Sequence, residues 1–109
     1  VTAVTMASKS SWRTLRPSNR SASVTTPTGS DGYPQRFGIP DGLYAEAVAV
    51  KQGWFCCWNG ANQLHVSTGA IGPERRYVMA ISSLEPDDDA ASRNTMTQVV
   101  KTMFPGGQI

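Results

Sequence analysis

The sequence predicts an α+β protein, in which a three-stranded antiparallel meander carries one C-terminal helix packed against it. Residues 45–83 contain three apolar, β-prone runs separated by two turn signals. Residues 90–104 carry an apolar stripe at helical spacing. Residues 1–34 show neither pattern, so we expect an irregular N-terminal arm ahead of the packed unit.

Length and composition limit the classes of protein to consider. The chain has 109 residues, enough for one domain, and its net charge of +2 indicates no polyanionic partner by itself. Charged residues make up 17% of the chain, a low fraction that suits a partly covered surface. No apolar run approaches the roughly 18 residues of a membrane span, and the N-terminus lacks the pattern of a secretory signal.

The N-terminal arm is rich in Ser and Thr and is interrupted by proline and glycine. Val1–Met6 is compatible with a short strand or a helical turn, and no periodicity follows Lys9. Such a segment buries too little apolar area to offset its ordering entropy. We therefore divide the chain into a flexible arm, 1–34, with a loop or linker over 16–34, and a folded part, 35–109.

The arm also holds a scattered set of basic residues with one aromatic residue: Lys9, Arg13, Arg16, Arg20 and Trp12. Such a set could hold phosphates and stack one base. The charges are too widely spaced to form a dense patch, which favours a solvated arm. We do not expect nucleic acid as a partner.

Two turn signals separate the three strands of the predicted meander. The first run, Ala45–Trp58, ends in a cluster of aromatic and cysteine residues and is followed by Asn59-Gly60, a strong hairpin signal. The second run is Gln63–Ile71, and the turn Gly72–Arg75 has proline pre-set for its first central position. The third run is Arg76–Ser83.

The helix has start and stop signals. An acidic run at 87–89 places negative charge at its N-terminus, where Asp88 or Asp89 can act as the cap. Pro105–Gly107 ends it. The residues predicted to face the sheet are Met96, Val99, Val100, Met103 and Phe104.

Cys56 and Cys57 are adjacent, and neighbouring strand residues point to opposite faces. Their Cα spacing is shorter than that of ordinary disulfides, so we expect free, mostly buried thiols. Two thiols and His65 fall short of the four ligands of a tetrahedral zinc site, so no metal is expected.

The motif Lys51-Gln52-Gly53 lies inside a predicted strand, with two further strands and a final helix after it. That order resembles the C-terminal end of the penicillin-recognising serine hydrolases, the class A β-lactamases and related transpeptidases, whose Lys-Thr/Ser-Gly box lies on an active-site strand. The resemblance spans about residues 37–104 and implies a fragment of the β-lactamase/transpeptidase-like fold.

The resemblance implies a substrate-binding group made of Lys51, Gln52, Gly53 and Trp54. Lys51 would supply charge for a substrate carboxylate, Gln52 stands where the family has Thr or Ser, and Gly53 would allow close approach of a ligand. The backbone N–H of Trp54 would belong to the oxyanion hole. Two alternatives stay open: Lys51 as a solvent-facing lysine that protects a strand edge, and Trp54 as a sheet-packing aromatic.

The family's nucleophile is absent, because no lysine of this chain has a serine three residues before it. The only Ser-x-Asn match, 92–94, lies after the box and inside the predicted helix. We therefore expect no catalytic residue, no cofactor and no activity of the chain alone.

The first hypothesis is a C-terminal fragment of a serine β-lactamase-like hydrolase, which would pair with the missing N-terminal part of that fold or self-associate. The family is usually extracytoplasmic or in the cell envelope. The alternative is a small non-catalytic protein-interaction module that uses its exposed sheet.

Overall fold

The computed structural model describes residues 2–8, 33–58, 62–86 and 88–109. The basic arm and most of the predicted linker therefore lie outside the described residues. Within the described residues the elements are β1 (Thr2–Ser8), α1 (Ile39–Gly42), β2 (Ala49–Trp58), β3 (Asn62–Ile71), a 3-10 turn (Pro73–Arg75), β4 (Tyr77–Glu85) and α2 (Asp89–Met103).

The strands form a four-stranded sheet in the order β1-β4-β3-β2, with every neighbouring pair antiparallel. The α+β class and the antiparallel meander are confirmed, but the predicted strand count of three is wrong. The additional strand, β1, comes from the N-terminal arm and pairs with β4 from Thr2↔Ser83 to Ser8↔Tyr77. Seven residues are too few for periodicity to separate a strand from a helical turn, and pairing with the distant β4 decides between them.

β2 begins at Ala49, later than the predicted start at Ala45. The residues before it form a turn, in which the Glu46 N–H donates to the Leu43 carbonyl at 3.2 Å. The Ala45 N–H donates to the carbonyl of Gly107 at 3.0 Å. These bonds tie the turn to the C-terminal end of the chain and take its backbone groups out of the strand ladder.

The predicted helix is confirmed as α2, within one residue at each end. The Asp88 carboxylate accepts a hydrogen bond from the Ala91 N–H at 2.8 Å, so Asp88 is the cap. The short α1 packs on α2 at Gly42, where an added Cβ would lie 2.3 Å from a Val100 methyl. Gly42 is needed here because no larger residue would allow the two helices to approach so closely.

Both helices lie on the same face of the sheet, which we call the inner face. The buried apolar cluster lies between these helices and the sheet. It consists of Phe37, Ile39, Leu43, Val50, Ile71, Met79, Ile81, Met96 and Val100. Of the predicted α2 stripe, Met96 and Val100 are fully buried, Val99 and Phe104 are partly buried, and Met103 is exposed.

The prediction of free, buried cysteines is wrong. Cys56 and Cys57 are joined by a disulfide, and both residues are exposed. The β2–β3 register shifts between Cys56 and Trp58, and Cys57 has a φ of 74°. This bulge breaks the side-chain alternation on which the prediction rested, so the two sulfurs can meet.

Candidate functional site

The predicted substrate-binding residues are divided between the two faces of β2. Gln52 and Trp54 lie on the inner face, opposite Ser67 and His65 of β3. Lys51 and Gly53 alternate with them and lie on the other face, which we call the outer face. The four side-chain positions therefore do not converge on one pocket, and a ligand-binding role for them stays a prediction.

Gln52 holds the segment that precedes α1. Its amide nitrogen donates to the carbonyls of Phe37 at 2.6 Å and Gln35 at 3.0 Å. The side chain is 2% exposed, and its Oε1 has no hydrogen-bond partner within the described structure. The longer amide that stands in place of Thr or Ser thus fixes backbone groups of a neighbouring loop.

Trp54 packs against an aromatic residue of the same loop. Its ring stacks on Tyr33 with centroids 4.0 Å apart and an interplanar angle of 11°. The Arg93 guanidinium lies 5.3 Å from the centroid of the Tyr33 ring. The reading of Trp54 as a packing aromatic agrees with this geometry.

Below the stack lies a polar cluster, which we define as Tyr33, His65, Asp89 and Arg93. His65 Nε2 is 2.8 Å from Asp89 Oδ1 and 2.9 Å from the Tyr33 hydroxyl oxygen. The Tyr33 hydroxyl also donates to Asp89 Oδ1. Arg93 donates to Asp89 Oδ2 from Nε at 3.1 Å and forms an ion pair with it through a second nitrogen at 3.0 Å.

The ionisation of Asp89 follows from these contacts. Burial opposes its charged form, but hydrogen bonds from Tyr33 and His65 and the charge of Arg93 favour it and hold the pKa of Asp89 below its usual value of 3.8. An ionised Asp89 accepts hydrogen bonds from both the Tyr33 hydroxyl and the N–H of His65 Nε2. That arrangement leaves His65 Nδ1 buried without a partner among the described residues.

The polar cluster joins three parts of the chain: the segment before α1, the strand β3 and the first turn of α2. His65 is fully buried, so its ring cannot reach a dissolved substrate. Within the described ranges, no group of three or more His, Cys, Asp or Glu residues could hold a metal ion. This arrangement is best suited to fixing the orientation of α2 on the sheet.

The outer face has a different character. Its cross-strand rows carry Phe55 with Leu64 and Leu84 at one end, and Ala49 with Ala70, Val78 and Ala7 at the other. Phe55 is 56% exposed and Val78 37% exposed. A depression of about 320 Å³ lies over Ala49, Ala70 and Val78 and is bordered by Lys51 and Thr68.

No described helix packs on this outer face, because α1 and α2 both join the core of the inner face. In the ranges that the structure covers, no helix is long and apolar enough to cross a membrane.

The chain is similar to proteins named "Putative lipoprotein LppW" from Mycobacterium tuberculosis and Mycobacterium bovis. It is 71% identical to each over 85 residues, which are 78% of this chain and 27% of the relative. The chain thus spans about a quarter of the length of the curated relatives that it matches. No family model matches the sequence, and no solved structure matches it.

These comparisons correct the family assignment. The matched relatives carry the name "Putative lipoprotein LppW", and neither a family model nor a solved structure connects the chain with β-lactamases or penicillin-binding proteins. The β-lactamase-like fold and the reading as a hydrolase fragment are therefore withdrawn. The Lys-x-Gly motif was too short to carry that assignment, and Gln52 has a structural contact that the resemblance did not include.

Sequence reasoning missed the polar cluster. The sequence alone assigns Tyr33 to the flexible arm, His65 to a packed strand position and Asp89 to an acidic run that favours a helix cap. The one available signal is that His65 lies two residues from Ser67, and therefore on the same face of the strand. That signal predicts burial, but it does not name a partner from another element.

Proposed function

We propose that this chain is a non-catalytic protein-interaction module, which docks other polypeptide on the outer face of its sheet. The observation that carries the proposal is the apolar outer face, on which no described helix packs. An apolar depression on an uncovered sheet face, such as the one over Ala70 and Val78, is a candidate interaction site. The polar cluster supports a non-catalytic role, since its histidine is buried and serves to orient a helix.

The proposed occupant of this face is a polypeptide that corresponds to the part of the LppW relatives outside the 85 matched residues. The match covers 27% of those relatives, so most of their length is available to cover this face. The small residue Ala70 lines the depression beside the exposed Val78, and a small side chain there allows a helix to approach the sheet closely. Because the relatives are named lipoproteins, we place the module within a lipoprotein.

Lys51 enters this proposal through its position at the border of the depression. Its Nζ donates to its neighbour's carbonyl, that of Gln52, at 2.7 Å, and the residue is exposed. A carboxylate of the docked segment could pair with it at the rim of the interface. We expect a small contribution, about 0–1 kcal/mol, because exposed ion pairs are well solvated.

The test combines this chain with a second polypeptide, the part of the Mycobacterium tuberculosis relative that lies outside the matched 85 residues. Binding is measured by titration calorimetry and sedimentation. We expect a one-to-one complex that Val78→Asp weakens at least about tenfold, since a buried unpaired charge costs more than about 1.4 kcal/mol.

Met103→Asp is the matched control, because Met103 is also an exposed apolar residue but lies on α2. It should leave the affinity unchanged. Absence of a complex would contradict the proposal, and so would an equal loss of affinity in the two variants. Sedimentation of this chain alone tests the other possible occupant, a second copy of the chain. A dimer that Val78→Asp dissociates would replace the proposed partner.

A further inference from the structure

We infer that Cys56 and Cys57 form a redox-active site, at which an external dithiol reversibly reduces the disulfide through attack on the Cys57 sulfur. The inference is independent of the docking proposal. It rests on the disulfide between adjacent residues, on the exposure of both, and on one polar contact to one of the two sulfurs.

Access is the first requirement for thiol–disulfide exchange, because the attacking thiolate must reach a sulfur. Both cysteines are exposed and lie at the end of β2, on an outermost strand of the sheet. Structural disulfides that persist in proteins are mostly shielded, and exposed ones are the labile class. The position of this bond therefore places it among the reactive disulfides.

The backbone supplies the second argument. Cys57 has a φ of 74°, in the left-handed region that non-glycine residues rarely adopt. The β2–β3 ladder shifts register at the same residue. The disulfide holds Cys57 in this conformation, so its reduction allows the backbone to leave the left-handed region and the end of the hairpin to rearrange.

The two sulfurs are not equivalent. Gln63 lies opposite Cys56 on β3, and its Nε2 donates to the Cys56 sulfur at 3.6 Å. A hydrogen-bond donor stabilises a developing thiolate and so makes Cys56 the better leaving group. Attack therefore falls on Cys57, with Gln63 as a positioning residue.

Reduction proceeds through two successive exchange steps. A thiolate of the external dithiol bonds to Cys57 Sγ, the Cys56–Cys57 bond breaks, and its electron pair goes to Cys56, which takes up a proton. The second thiolate of the reductant then attacks the reductant's other sulfur, which is bonded to Cys57 in the mixed disulfide. Cys57 leaves as a thiolate and is protonated in turn. The protein gains two electrons and two protons, and the dithiol becomes a disulfide.

The state of the cysteines is tested first on the unmodified chain, purified in air. We expect iodoacetamide to add nothing to the folded protein before reduction, and to add two groups after treatment with dithiothreitol, as measured by intact mass. Reoxidation should restore the unreactive form. Alkylation of both cysteines without reductant would overturn the inference, and so would dimers held by disulfides between chains.

The direction of attack is tested with glutathione, a monothiol that leaves a mixed disulfide. Acid quenching and fragmentation between residues 56 and 57 should locate most of the adduct on Cys57. Gln63→Leu should slow reduction about two- to fivefold and equalise the adduct between the two sulfurs, because the donor to Cys56 is lost. Asn62→Ala, one position away on the opposite face, is the matched control and should change neither quantity.

A purely structural role for Gln63 would change stability without changing which sulfur carries glutathione. An equal distribution of the adduct in the unmodified chain would overturn the assigned direction. A distribution that Gln63→Leu leaves unchanged would exclude Gln63 as its cause.

Discussion

The inner and outer faces of the sheet use the same four strands but different chemistry. On the inner face, Met79 and Ile81 of β4 are buried beneath α2, and the row beyond them contains polar residues such as Ser83 and His65. On the outer face, Val78 of the same strand is apolar but 37% exposed. Polarity alone therefore does not identify the covered face of this sheet, because buried polar side chains there bond to other elements, as Gln52 does to the Phe37 carbonyl and His65 to Asp89.

The largest expected difference between the faces comes from Met79 and its neighbour Val78. Met79→Ala should lower the free energy of unfolding by about 2–5 kcal/mol, because it removes a fully buried side chain and leaves a cavity. Val78→Ala should lower it by less than about 1 kcal/mol, since that side chain is already partly solvated. Urea unfolding of the two variants measures both values, and equal losses would mean that the outer face is covered in the isolated chain.

A second pair of neighbours sharpens the comparison on β2. Gln52→Leu should destabilise the chain by about 2 kcal/mol, because it leaves the carbonyls of Phe37 and Gln35 without their donor. Lys51→Ala should change stability by less than about 0.5 kcal/mol. Thermal melting checks both, and a neutral Gln52→Leu would show that water replaces the lost donor.

Asp89 gives the pH dependence of the inner face. The folded-state pKa of Asp89 is lowered, so its contribution to stability is present above the unfolded value near 3.8 and is lost as the pH falls through the lower folded pKa. Asp89→Asn should therefore lower stability at pH 7, by only about 1 kcal/mol because the carboxylate is 37% exposed and solvent screens its ion pair, and should flatten the fall of stability below about pH 4.

The control for that experiment is Asp41→Asn. Asp41 pairs with Arg36 at 3.2 Å, but both side chains are more than two-fifths exposed. Exposed pairs of this kind contribute about 0–1 kcal/mol, so the variant should stay close to the unmodified chain at pH 7. If the two aspartates behaved alike, the polar cluster would not be a special feature of the inner face.

Local patterns predicted much of the fold. The turn signal at Gly72-Pro73, the acidic cap at Asp88 and the spacing of Met96 and Val100 are properties of a few adjacent residues, and each agrees with the structure. The sequence leaves Val1–Met6 open between a short strand and a helical turn, because the stability of β1 comes from pairing with residues far along the chain. A tertiary contact of that kind leaves no local period to read.

The sites were harder to predict than the elements. Tyr33 acquires its role from His65 and Asp89, which belong to separate elements. The disulfide was missed because the prediction assumed a regular strand through Cys57, whereas the strand is bulged there. In both cases the decisive information is the relative position of residues in space.

The position of β1 has a consequence for the order of folding. β2, β3 and β4 are separated by only a few residues each, so their contacts close small loops, whereas Thr2 meets Ser83 across a separation of 81 residues. Closing that long loop carries a larger entropic cost and gives β1 no share in an early nucleus. We therefore expect β1 to join the sheet last during refolding and to leave it first during unfolding. In the interval, the free edge of β4 is open to the β1 segment of another molecule, which makes strand exchange at this edge the characteristic misfolding route of the chain.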